Sequence, residues 1–144
     1  MADVVPNAFK GELLSGTHNF ASGGDSFKLA LYTANPYTTS STVYSSGAGN
    51  EVSGSAPGCS TGGSALTSQA VASSTATASV DFANLTFSSA TFSAAFGAIY
   101  NDDKSDKLVV ILDFGGTKTA TNGDFTIAFP DPSTPANAII SLTS

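Results

Sequence analysis

The chain has one cysteine, one histidine, no tryptophan and no arginine among its 144 residues. Each shortage removes a class of chemistry. A lone Cys59 excludes an internal disulfide and a cysteine-built zinc site, and reads as a small residue in a loop. Five lysines stand against eleven acids, for a net charge of -6, so there is no cationic footprint for phosphate recognition. Nucleic acid is therefore not an expected partner. No apolar run approaches the length that spans a bilayer, so no membrane is expected either. The first residues, MADVVPNAFKGELL, have no basic region followed by a long apolar stretch. The expectation is that they are not a signal peptide and that the protein is made in a cytosol. Charged residues make up only 11 %, against the usual quarter of a globular chain. Serine and threonine supply the missing polarity, which suits β structure with hydroxyl-rich faces and a surface that meets other protein.

What is present reads as one domain. Residues 6–15, PNAFKGELLS, are the best helix candidate. Pro6 suits the first helical position, Phe9, Leu13 and Leu14 fall on one side, and Gly16 stops the run. Gly11 weakens it. Residues 26–33 alternate and then turn apolar, and read as a strand ended by Asn35-Pro36. Residues 35–48 form a polar loop carrying Tyr37 and Tyr44. Further strands are expected at 65–72, 77–82, 84–88, 91–100, 108–114, 124–129 and 138–142. The 108–114 run, LVVILDF, is expected to be central and buried on both faces. Turn signals separate them at Asn101-Asp102-Asp103, Gly115-Gly116, Asn122-Gly123 and Pro130-Asp131-Pro132. The expected fold is an all-β antiparallel sandwich, jelly-roll-like, with an immunoglobulin-like strand order as its alternative. Residues 1–20 would be a short helix or N-terminal arm, and residues 21–144 a single sandwich domain.

Several stretches invite a chemical reading. Residues 50–66, NEVSGSAPGCSTGGSAL, hold Gly54, Gly58 and Gly62-Gly63. A phosphate loop needs a following helix and a lysine, and neither is here. The glycines read instead as hinges with positive φ in an ordered loop. His18 could serve a serine hydrolase, but no serine sits in Gly-x-Ser-x-Gly. Asp81, Asp113 and Asp124 are the strand-associated carboxylates that a glycosidase would use. Asp113 more simply caps its strand end against Gly115-Gly116. The run NDDKSD at 101–106 lacks the glycine and distant glutamate of a calcium loop and reads as a hairpin turn. Asn84-Leu85-Thr86 matches a glycosylation acceptor, though nothing suggests secretion. No catalytic residue, metal or cofactor is expected. Most phenylalanines fall on inward strand faces, while Tyr37 and Tyr44 are better interface candidates.

Across nearly the whole chain the order of short motifs resembles a family of small virion structural proteins of tailed bacteriophages. These are described as head decoration (cement) proteins or minor tail proteins. The residues carrying it begin with Asn7-Ala8-Phe9-Lys10, Leu13-Leu14-Ser15-Gly16 and Phe27-Lys28-Leu29-Ala30-Leu31-Tyr32. Asn50-Glu51-Val52-Ser53-Gly54, Gly62-Gly63-Ser64-Ala65-Leu66, Asp81-Phe82-Ala83 and Leu85-Thr86-Phe87 follow. Thr91-Phe92-Ser93-Ala94, Gly97-Ala98-Ile99-Tyr100-Asn101, Leu112-Asp113-Phe114-Gly115-Gly116 and Asn122-Gly123-Asp124-Phe125-Thr126-Ile127 complete the set. Where relatives usually carry a Gly-Tyr pair before the double glycine, this chain has Pro57-Gly58-Cys59. The resemblance implies a structural role without catalytic residues. The implied protein sits on the virion capsid surface after synthesis in the host bacterial cytoplasm. It binds the major capsid protein and itself, as a trimer or dimer. Phe9, Leu13, Leu14, Tyr37 and Tyr44 are the expected interface. The alternative is a tail or fibre component that recognises the host surface, with those tyrosines as a carbohydrate platform. An enzyme using His18 is a third reading.

Overall fold

The structure, a computed structural model, describes residues 3–53, 56–130 and 138–144. Gly54 of the glycine-rich stretch and Asp131-Pro132 of the last turn signal lie outside the described residues. The chain opens with helix α1, Asn7–Leu14, followed by strands β1 Phe27–Tyr32, β2 Ser64–Ala65, β3 Ala70–Ser73 and β4 Thr77–Asp81. Two long strands come next, β5 Leu85–Asn101 and β6 Lys107–Ile127, joined by a single 3-10 turn at Asp102–Lys104, and β7 is Ile140–Thr143. They make two antiparallel sheets, ordered β2-β1-β5-β6 and β3-β4-β7. The architecture is thus an all-β sandwich with one short N-terminal helix.

Alternation along β1 explains how the first sheet is buried on both sides. Phe27, Leu29 and Leu31 join the cluster that also holds Val80 from the second sheet, Phe82 just past the end of β4, Phe87 from β5 and Phe9 from α1. Ala30 and Tyr32 point the other way, into a second cluster with Ala98, Tyr100, Leu108 and Ile111, which Tyr37 closes from the 33–63 loop. Burying both faces removes apolar area from water twice per strand, which suits a chain with so few charges.

Several expected boundaries move. The single strand expected at 65–72 is two short ones, because Ser68 adopts φ 54° and carries the chain from one sheet to the other. The strands expected at 84–88 and 91–100 are one strand, and so are those at 108–114 and 124–129. Gly115-Gly116 and Asn122-Gly123 are therefore bulges inside a long hairpin, not turns between strands. Phe96 pairs with Asp113 but Ala94 with Lys118, so residues 114–117 bulge out opposite Ala95. Ala90 pairs with Gly123 and Phe92 with Ala120, with Asn122 at φ 49°. The 108–114 run is not central. β6 is the last strand of its sheet, and β1 and β5 hold the middle. Residues 108–111 are nonetheless buried, because isolated bridges from Val4 to Ile111 and from Val43 to Lys107 cover that edge. A jelly roll asks for eight strands in two Greek keys. The described residues form seven, with sequential strands paired as hairpins in both sheets.

Candidate interaction surface

Helix α1 is held to its own domain by a network of buried polar groups. The Asn101 side chain is fully buried at the end of β5. Its Oδ1 accepts from the Asp103 backbone N–H (3.1 Å), and its Nδ2 donates to Asp25 Oδ2 (2.9 Å). An amide N–H only donates and a carboxylate only accepts, so these two partners fix which end of the Asn101 amide is which. Nδ2 also lies 3.0 Å from His18 Nδ1, which must therefore be the acceptor. The proton of the neutral imidazole is on Nε2 and is donated to Glu12 Oε2 of α1 at 3.1 Å. Glu12 Oε1 takes the Lys107 ammonium at the start of β6. Asp25 also accepts from Asn19 N (2.9 Å) and lies 3.5 Å from Lys104 Nζ. Both ring nitrogens of His18 are thus committed to side chains that position the helix.

The same contacts set the acid behaviour. Burial works against the Glu12 charge, but hydrogen bonds from Lys107 and His18 outweigh it and hold the carboxyl below its usual range. Asp25 is likewise penalised by burial and held low by Asn101 and Asn19. A carboxylate lowered in the folded state contributes stability above its unfolded pKa, and that contribution disappears as pH falls through the folded value. The melting temperature should therefore drop on acidification below about pH 4.5, the unfolded value for a glutamate. Glu12→Gln should melt lower than the parent at pH 7 and show a shallower acid slope. Thermal denaturation followed by circular dichroism between neutral pH and about pH 3 reads both. Parallel slopes for the two proteins would rule Glu12 out as a source.

The five expected interface residues separate. Phe9 is 1 % exposed, with its ring against Phe20 and His18 at centroid distances of 6.2 and 5.2 Å. Tyr37 is 7 % exposed, and its hydroxyl meets the Tyr32 hydroxyl at 2.9 Å and accepts from Ser45 N. Both are core residues, so the interface role expected for them does not hold at their side chains. Tyr44 is half-buried, stacked on Tyr100 at 4.4 Å, and donates to Glu51. Burial and the Glu51 carboxylate push its phenol above the usual range. With one face covered by Tyr100, it offers at most half a platform. Leu13 packs at the margin of the core, while Leu14 is 88 % exposed. Helical geometry explains the split: at 3.6 residues per turn Leu13 lies about 40° around from Phe9 and Leu14 about 140°. Leu14 thus leaves the face that Phe9 and Leu13 share.

The other candidates are tied into the scaffold. Cys59 is buried, and desolvation pushes its thiol up to about 11, far from thiolate reactivity. Asp102 pairs with Lys28 (2.9 Å) and Asp103 accepts from Ser26 N (2.6 Å), so NDDKSD is a hairpin turn fastened to β1. Among the described residues no group of three or more His, Cys, Asp or Glu could hold a metal ion. Asp113 accepts from Gly115 N (2.9 Å) as expected, but within a bulge. Asp124 lies further along β6 and is exposed, and Asp81 is on the other sheet. Asn84 Oδ1 accepts from Phe129 N (2.8 Å). Among the described residues no helix is long and apolar enough to cross a membrane.

An apolar cleft of about 450 Å³ lies between the α1–β1 region and the three-stranded sheet. Leu13 and Phe20 form one wall, and Val71, Val80, Ile140 and Leu142 the other. Val71 and Leu142 are 56 % and 57 % exposed. Periodicity marks Val80 as facing inward on its strand, but not Val71, Ile140 or Leu142 as a shared surface. A charge gap marks the first two: residues 52–80, which hold Val71 and Val80, contain no charged side chain at all. Comparison of the chain with family models, with curated proteins and with solved structures finds no match.

Proposed function

We propose that this chain is a structural component of a tailed-phage virion, a decoration (cement) protein that binds the major capsid protein shell and stabilises the head. The observation that carries the reading is an apolar surface: Leu14 stands 88 % exposed on α1, the helix whose Leu13 lines an open apolar cleft together with the half-exposed Val71 and Leu142. The order of motifs from Asn7 to Ile127 supports the same reading. A decoration protein meets many identical sites, so each contact is modest and repetition multiplies it. Binding the closed shell in preference to its open forms then stabilises the closed one.

Deleting residues 1–16 would not test this, because Phe9 and Val4 belong to the folded core. Leu14→Glu is the cleaner change. It should leave the circular dichroism and the melting temperature within the small range of surface substitutions, about 0.5 kcal/mol. It should also lower occupancy on purified particles at least about tenfold, the effect of 1.4 kcal/mol per site. Cryo-EM of particles carrying the parent protein should give density repeated over the icosahedral shell and bridging capsid subunits. Density confined to the tail would replace the cement reading with a tail or fibre role.

A further inference from the structure

We propose that the outer edge of β3 is a self-pairing site, at which two copies of this chain join their three-stranded sheets into one six-stranded sheet across a two-fold axis. Ala70–Ser73 pairs only with β4, and no described residue bonds to its other side. Ser74 N bonds Thr77 O (2.8 Å) to close the β3–β4 hairpin. Bonded pairs alternate along an antiparallel ladder, so residues 72 and 70 face β4 and residues 71 and 73 aim their N–H and C=O groups outward.

Natural sheet edges are usually blunted by lysine, proline, a bulge or inward charge. Apart from its four-residue length, this one has none of them: its sequence is AVAS, and its register with β4 is unbroken from Ala70–Asp81 to Ser73–Ala78. The start of the strand is also pinned, since Gln69 Nε2 donates to Asp25 O (2.6 Å). A ready-made, rigid edge lowers the ordering cost of adding a strand.

Charge argues that the occupant is a second copy. The chain carries -6, so two copies repel each other least where no carboxylate lies at the contact. The only charged residue on the three strands is Asp81, one strand in from this edge. A two-fold axis perpendicular to the sheet keeps each side chain on its own face. The register centred on Val71 sets the two valines directly opposite one another, where both sets of outward amides meet. That pairing covers the half-exposed Val71 and lengthens the apolar cleft across both copies.

This goes beyond the function proposed above and does not rest on it, because the test uses free protein and no capsid. Sedimentation equilibrium at about 100 µM, where a micromolar dimer is nearly complete, should give twice the chain mass. Val71→Lys puts like charges opposite one another and should weaken the dimer at least about tenfold with an unchanged circular dichroism spectrum. Ser141→Lys, on the opposite edge of the same sheet, should leave it intact. A monomeric parent, a Val71→Lys dimer of parental strength, or dissociation by Ser141→Lys alone would each overturn the proposal. None of those results would bear on where the protein binds the particle.

Discussion

Gly63→Ala should cost about 3 kcal/mol, and at roughly 3 °C per kcal/mol for a domain of this size should lower the melting temperature by about 10 °C. Two independent penalties meet at this residue. Its φ is 72°, a region that L side chains adopt only with strain. A Cβ built there would also overlap the Leu29 carbonyl oxygen and come within 2.7 Å of Ala30 Cα, both backbone atoms of the central strand β1. Neither can rotate away as a side chain would. The chain must approach so closely because Ser64 and Ala65 immediately begin pairing with Leu29 and Lys28. Relief by moving the loop would break its fastening next door, where Gly62 N donates to Glu51 (2.6 Å) and Gly62 O accepts from Tyr100 (2.8 Å). Gly11→Ala is the internal control. It sits in α1 with open space at the Cβ position and should stabilise the protein by about 1 kcal/mol. Equal melting temperatures for Gly63→Ala and the parent would show that the glycine-rich loop does not hold this position.

Phe9→Ala should cost about 3 to 5 kcal/mol, the usual loss for emptying a buried phenylalanine site. The ring fills a space bounded by His18 and Phe20, and Phe20 in turn stacks on Phe27 of β1 at 4.5 Å. Removing it leaves a hole next to a polar network that cannot collapse inward, because His18, Glu12 and Asn101 are fixed by their hydrogen bonds. A free arm gives a different result: truncating an exposed phenylalanine changes stability by no more than about 0.5 kcal/mol. Chemical denaturation of the parent and the Phe9→Ala protein, read from their midpoints at equal slope, separates the two cases. A midpoint unchanged by the substitution would return residues 1–20 to the status of an arm.

Much of the architecture was legible from local pattern. Alternation placed β1 and β4 to within a residue or two, and Pro6 and Gly16 bracketed α1. The positive-φ reading of the glycine-rich loop holds at Gly58, Gly62 and Gly63. Low charge with abundant serine and threonine already pointed to sheets. The two merged strands share a cause. Glycine and Asn-Gly pairs mark positive φ, and the sequence alone does not say whether that serves a chain reversal or a bulge within a ladder. Whether Gly115-Gly116 turns the chain depends on the cross-strand partners Ala94 and Phe96, far away in sequence.

The candidate surface was less legible, because exposure is a property of packing. Phe9 and Leu14 look alike in a list of apolar residues, and so do Tyr37 and Tyr44, yet one of each pair is inside. His18 reads as a possible base only until Asn101, 83 residues on, occupies its Nδ1. By itself the sequence determined the class of structure, the scarcity of reactive groups and the shape of the glycine loop, since composition, periodicity and φ preference act over a few residues. Only the tertiary structure decided that the N-terminal segment is part of the core, that β3 and β7 flank an apolar cleft, and that Leu14 faces solvent. Those follow from which distant strands pair and which side of each is covered, and burial is settled by neighbours that no local pattern names.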